Sequence, residues 1–306
     1  LAPSAANLAF FGSKVKNTVF AAISRLFTAP FRWNHWNGPP VLYKDVFFAA
    51  IRAMLSNLTI AQSRYLNKSI SETYKDLCKA ISQESKTVKL EESGTTAHWI
   101  GSENADVVIL YLHSVCLNDG SRFWVVLILP GGGYTQACTP GHMQYFHRLV
   151  TDLNKLSDGT PSTSVLLLAY TLAPEAQFPI QLKEAVSMLS YLLNEAGKSP
   201  MNIMITGDSA GGGLVLSLLS HLLHPHPDIP KLSTSMPLRA AFLYSPWVSF
   251  DTSHESYTKK AAKDTLVPHM LRKWAGLYLG TIDGETDPGV VVGGNTYSEP
   301  LLADAS

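Results

Sequence analysis

Five residues, Gly207-Asp208-Ser209-Ala210-Gly211, constrain this chain more than any other stretch. They lie between a short apolar run, Ile203-Met204-Ile205, and a glycine- and leucine-rich segment, Gly212 to Leu223, that reads as a helix. Between a strand and a helix, the pattern Gly-x-Ser-x-Gly sets the serine on a sharp, strained turn. The residues two before and two after it then need almost no side chain. The helix that follows aims its first N–H groups at any oxyanion formed beside the serine. A glycine-rich loop arising by chance gives the same letters, but the flanking strand and helix favour a nucleophilic Ser209.

The rest of the chain supplies a sheet for such a turn. Thr87–Glu91 and Thr96–Ile100 alternate like strands, with Gly94 as the turn between them. Val107–Leu112 and Val125–Leu129 are nearly continuous apolar runs, as in strands buried on both faces of a parallel sheet. A helix over about 144–156, a strand over 164–169, a helix over 181–195, a strand over 202–206 and a strand over 240–244 follow. This alternation predicts an α/β fold, a mostly parallel sheet with helices on both faces.

Residues 1–82 read differently. Asp45 is the expected N-cap of a helix to about Leu55, Thr59 of one to about Leu66, and Ser69 or Ser71 of one to Ile81. We therefore expect a helical N-terminal cap, 1–82, over the mouth of a site built by an α/β core, 83–306. Residues 1–44 hold Lys14, Lys16, Arg25, Arg32 and Lys44 and no acid, with Val15, Val19, Phe20, Ile23, Leu26 and Phe27 at helical spacing. Peripheral membrane contact, a targeting segment and packing on the body as part of the cap compete. Packing, alone or combined with lipid contact, is favoured. The chain opens on Leu1 rather than Met, which leaves room for residues upstream.

Composition narrows the partners. The chain has 306 residues, is 46% hydrophobic and 16% charged, and has zero formal net charge. That suits a sizeable core and gives no case for nucleic acid. Cys78, Cys116 and Cys138 have neither metal spacing nor a disulfide framework, so a reducing compartment is the simpler reading. The sequons at Asn57 and Asn67 carry little weight against it. The expected location is intracellular, cytoplasmic or membrane-associated. No run reaches 18 apolar residues. No cofactor or metal is expected, and nothing fixes the oligomeric state.

A serine nucleophile also needs donors for the oxyanion. Gly131-Gly132-Gly133, just after the second apolar run, offers closely approachable N–H groups, and Ala210 N–H offers another. Tyr170-Thr171-Leu172-Ala173-Pro174-Glu175 with Phe178-Pro179, then Gly207 to Gly212, then Ser245-Pro246-Trp247 together resemble the hormone-sensitive-lipase-like esterases. The likeness runs from about Trp36 to the last residues. It implies an α/β-hydrolase fold, a helical N-terminal cap and cofactor-free hydrolysis of carboxylic esters. It casts Ser209 as nucleophile and Gly132, Gly133 and Ala210 as oxyanion donors. A greasy cap suggests an acyl chain or apolar small molecule as substrate, an apolar acyl ester. A rival reading is a non-catalytic small-molecule-binding protein, as in the gibberellin receptors that resemble the same esterases. A peptidase is a weaker rival.

Two departures from the family stand out. The family writes His-Gly-Gly-Gly after one strand, whereas Pro130 precedes the glycines here. His113 ends the earlier apolar run, and removing 114–130 would join it to Gly131. Residues 114–130 are thus either an insertion artefact or a real extra strand, Phe123–Leu129. Second, the fold orders its triad as Ser, acid, His. Past the Ser245-Pro246-Trp247 segment only His254 and His269 remain, and the resemblance places both acid and base farther along. The core is expected to be incomplete at its C-terminus, with Asp304 a loop residue. Among the remaining residues, Asp208 reads as a turn residue in preference to a group that sets the local field, His224-Pro225-His226 as a solvated loop, His142 and His147 as surface or capping groups, and Glu175 as a brace for its loop.

Overall fold

The computed structural model describes residues 16–28, 41–55, 58–113, 132–156, 160–284 and 286–303. Helices α1 (residues 16–28) and α2 (Leu42–Leu55) come first. They are followed by α3 (Ile60–Leu66) and α4 (Ile70–Ala80). Thr59 and Ser69 cap α3 and α4 in full capping boxes with Gln62 and Glu72. The serine–threonine chemistry of the sequence therefore set these starts. Asp45 does not cap α2. It sits inside the first turn, fully buried, with Arg25 of α1 at 3.8 Å.

Strands β1 (Thr87–Lys89), β2 (Thr96–Ile100), β3 (Val107–Leu112), β4 (Thr163–Leu168), β5 (Ile203–Asp208) and β6 (Ala240–Tyr244) form one sheet in the order β1-β2-β4-β3-β5-β6. The β1–β2 and β2–β4 pairings are antiparallel, and β4–β3, β3–β5 and β5–β6 are parallel. Helices α5 (Pro140–Leu153), α6 (Ile180–Asn194) and α7 (Ala210–Leu223) connect them. Every residue of β3 is buried, because odd and even positions face different helices. Val108, Leu110 and Leu112 join a core with α6 and α7, while Ile109 and Tyr111 join one with α4 and α5. That double burial is why the run carries no alternation. Sheet order, parallel pairing and helices on both faces bear out the α/β expectation.

The first apolar run, Val107–Leu112, holds the place between β4 and β5. The proposed strand Phe123–Leu129 and the segment 114–130 lie outside the described residues, as does Asp304. β6 is less buried than its sequence suggests, with Phe242 59% exposed. Among the described strands it pairs on one side only, with β5. After β6 come α8 (Glu255–Lys259) and α9 (Pro268–Leu279). Ile51 of α2 packs with Met270, Leu271 and Trp274 of α9 in a separate apolar cluster. Helix α1 does not bury its apolar row: Val19, Phe20, Ile23, Leu26 and Phe27 are all exposed, Phe20 at 70% and Phe27 at 75%. Packing on the body is thus not what that row does.

Candidate active site

Ser209 stands between β5 and α7 with φ 48° and ψ −117°. A non-glycine residue at such angles is held there at a cost of about 1–3 kcal/mol. The surrounding glycines explain how the strain is tolerated. A Cβ on Gly207 would lie 2.4 Å from the Gly211 backbone, and one on Gly211 only 2.0 Å from Leu112 O. The turn therefore closes directly against the end of β3. Ser209 N donates to Tyr244 O at 2.9 Å, and Ser209 O accepts from Gly213 N at 3.0 Å and Trp247 N at 2.8 Å. The ends of β6 and of the Ser245-Pro246-Trp247 segment so fix both sides of the serine.

Ala210 is the first residue of α7, where an N–H has no partner within the helix. Gly132 and Gly133 belong to a tight turn in which Gly132 O accepts Thr135 N at 2.6 Å and Gln136 N at 2.8 Å. Gly133 has φ 43° and Tyr134 φ 61°. A side chain at Gly133 would strike Trp274 at 2.4 Å, so only glycine fits. Tyr134 is fully buried, stacked on Tyr278 with centroids 3.7 Å apart, and its hydroxyl lies 3.0 Å from where a Cβ of Gly213 would be. The Tyr134 side chain thus reaches the first turn of α7 at Gly213, whose N–H bonds Ser209 O. Gly131 lies outside the described residues.

His113 ends β3 and is fully buried. Its ring stacks on Tyr170 at 4.4 Å and 7°, and its carbonyl accepts from Tyr170 Oη at 2.8 Å. Neither ring nitrogen has a hydrogen bond among the described residues. Burial, with His142 nearby, holds its pKa down to about 3, so the ring is neutral. His113 therefore sits between Tyr170 and His142, just past the end of the strand against which Gly211 of α7 closes.

Asp208 corrects its turn reading: it is the buried last residue of β5, and Tyr111 Oη donates to Oδ1. Burial, then the Asp208 charge, raises the Tyr111 phenol well above its usual value. His226 is likewise no solvated residue. It is buried against Phe178, its N–H donates to His221 Nδ1 at 3.0 Å, and its Nδ1 accepts Asp228 N at 3.2 Å. His142 meets Thr139 Oγ1 at 2.8 Å in the first turn of α5, a contact between side chains that does not cap the helix, and burial lowers its pKa to about 4. Glu175 braces its loop through Arg64, whose Nη2 lies 3.0 Å from Oε2. No feature of the sequence singled out Arg64, Tyr111 or Trp274, because their roles depend on partners 71 to 141 positions away.

Among the described residues no histidine hydrogen-bonds Ser209. His254 is exposed and lies 3.6 Å from Asp251, and His269 lies in the first turn of α9. Among the same residues no three His, Cys, Asp or Glu side chains cluster as metal ligands.

Similarity to known proteins agrees with this geometry. An acetyl-hydrolase of Streptomyces hygroscopicus is 28% identical over 61% of this chain and 52% of its own length. Steryl acetyl hydrolase 1 of Saccharomyces cerevisiae is 28% identical over 51% of this chain and 32% of its own. The chain thus spans about half or less of the curated relatives it matches. Among solved structures, an esterase of the bacterial hormone-sensitive lipase family superposes with a TM-score of 0.56 at 27% identity, covering 87% of this chain and 75% of that one. The resemblance drawn from the motifs is borne out. Residues 126–303 match the family model described as alpha/beta hydrolase fold, and with more than half of its length inside that match the chain belongs to this family.

Proposed function

We propose that this chain carries the nucleophile and oxyanion half of a carboxylic ester hydrolase. The observation that carries the reading is Ser209, held at positive φ between β5 and α7 by the close approach of Gly207 and Gly211. On this reading Ser209 Oγ attacks the ester carbonyl, and the N–H groups of Gly132, Gly133 and Ala210 stabilise the oxyanion. A histidine oriented by an acid takes the serine proton. Neither His254 nor His269 bonds Ser209 among the described contacts, and the reading assigns base and acid to no particular residue.

The substrate class is an apolar ester. The relatives' names make acetyl esters the first to try, and the apolar cluster of Ile51, Met270, Leu271 and Trp274 beside Gly133 supports an apolar substrate. The division into a cap, 1–82, and a core, 83–306, belongs to the same proposal. Ile51 and Arg64 support it by their contacts with α9 and with the Gly132 turn. Helix α4 packs instead on the sheet face with α5.

The reading is tested with the protein from its native source on p-nitrophenyl acetate and longer acyl esters. Turnover that Ser209→Ala abolishes is expected. Tight binding of such esters without turnover would overturn it in favour of a ligand-binding protein.

Peripheral membrane contact through α1 is a further part of the proposal. The exposed row from Val19 to Phe27 and the acid-free residues 1–44 support an anionic lipid surface as partner. No helix among the described residues is long and apolar enough to cross a membrane. Flotation with vesicles of phosphatidylcholine and phosphatidylserine should carry the protein upward, and Phe20→Asp with Phe27→Asp should release it. Wild-type protein left in the soluble fraction would rule the contact out. An intracellular location rests on Cys78 and Cys138 standing as buried free thiols.

A further inference from the structure

The turn that presents Gly132 and Gly133 is not self-supporting. Gly133 and Tyr134 are both left-handed, and Tyr134 has a Cβ that disfavours it. Stacking of Tyr134 on Tyr278 and contact with Trp274 hold its buried side. Its outer side is held from α3, chiefly by Arg64. The Arg64 guanidinium, in the last turn of α3, donates to Thr135 O and, through Nη2, to Ala173 O at 3.1 Å. The same group meets Glu175 through Nη2 to Oε2 at 3.0 Å and Nε to Oε1 at 3.4 Å.

These contacts close a ring. Ala173 N donates to Tyr134 O at 2.8 Å, so the turn and the Leu172–Glu175 loop are already joined at one point. Arg64 joins them at a second. With Thr135 O captured, its peptide plane cannot rotate without breaking a charge-assisted bond, and the plane before it is bound to the same frame. Ser63, the preceding residue, donates to Gln136 Oε1. Helix α3 thus grips the turn at two successive residues.

We infer that Arg64 is a positioning residue for the oxyanion turn: it fixes the peptide planes from Gly132 to Gln136 from outside and makes the N-terminal helices part of the catalytic framework. This rests on the esterase reading above. A planar fork is required, because one side chain must reach two carbonyls and a carboxylate at once. An ammonium group is a point charge that cannot span them.

The test uses the protein from its native source. Arg64→Lys and Arg64→Ala should lower kcat on p-nitrophenyl acetate by about tenfold with KM changed less than about twofold. That is smaller than the hundredfold or greater loss on deleting an oxyanion donor, since the donors are misplaced and not removed. Millimolar guanidinium should restore part of the Arg64→Ala loss. Hydrogen exchange at Thr135 and Gln136 N–H should quicken about tenfold while the α7 amides stay unchanged.

Unchanged kcat together with unchanged exchange would overturn the inference, and so would a KM effect alone. If wild-type protein hydrolyses no ester, the esterase reading falls, and the exchange experiment still decides whether Arg64 holds the turn. If Arg64→Ala does not fold, Arg64→Lys and Glu175→Gln carry the same measurements.

Discussion

Replacing glycine by alanine should have opposite effects at two helix starts of this protein. Gly211 lies in the first turn of α7 and Gly141 in the first turn of α5. Helix propensity favours alanine at both, by up to about 1 kcal/mol. At Gly141 a new Cβ meets nothing nearer than Thr139 Oγ1 at 3.6 Å, so the gain survives. At Gly211 it would lie 2.0 Å from Leu112 O and 2.8 Å from His113 C, both backbone atoms of a fully buried strand. Carbon–oxygen contacts settle at about 3.3 Å, so α7 or the end of β3 must move by roughly 1.3 Å. Overpacking of this kind costs about 1–3 kcal/mol, and β3 is flanked by β4 and β5, so it cannot yield freely. Urea unfolding should give Gly141→Ala a midpoint at or above wild type, and Gly211→Ala a loss of about 2 kcal/mol. Equal midpoints for the two variants would refute the argument that β3 is what demands glycine there.

Three further outcomes follow from the same contacts. Tyr111→Phe removes the phenol that donates to buried Asp208 and should destabilise by about 1–3 kcal/mol in the same assay; no change would show the bond to be immaterial. Ser209→Gly should raise stability by about 1 kcal/mol by relieving the positive φ, whereas a loss would mean the elbow is unstrained. Burial holds His113 at about 3 and His98 and His142 at about 4, against about 6.5 when unfolded. Their native form is neutral, so their contribution is complete above pH 6.5 and is lost as pH falls toward those values. Near pH 5 the unfolded chain binds about three more protons at these sites, a slope of about 4 kcal/mol per pH unit. Urea midpoints that stay flat from pH 7 to pH 5 would contradict that burial.

The parts legible in the sequence were those fixed by local rules. The capping boxes at Thr59 and Ser69, the β1–β2 pair around Gly94 and the apolar run of β3 follow from side chains within a few positions of each other. The elbow at Ser209 was legible for the same reason, since its two glycines are two residues away. Where long-range burial decides, the sequence misled. Asp208 and His226 read as turn and loop residues because polar side chains usually face water. Each is buried because a distant aromatic, Tyr111 or Phe178, lies beside it. Asp45 read as a cap and became a buried acid near Arg25.

By itself, then, the sequence determined the order of the described strands, the sharp turn at Ser209 and the identity of its glycine neighbours, because strained turns and doubly buried strands leave few residue types free. Only the tertiary structure decided that Val107–Leu112 is the run between β4 and β5, that Trp274 covers Gly133, that the apolar row of α1 faces outward, and that Arg64 reaches Thr135 and Ala173. The physical reason is the range of the interactions. Backbone sterics and capping act within a turn of chain, whereas packing and buried hydrogen bonds join whichever surfaces the fold brings together.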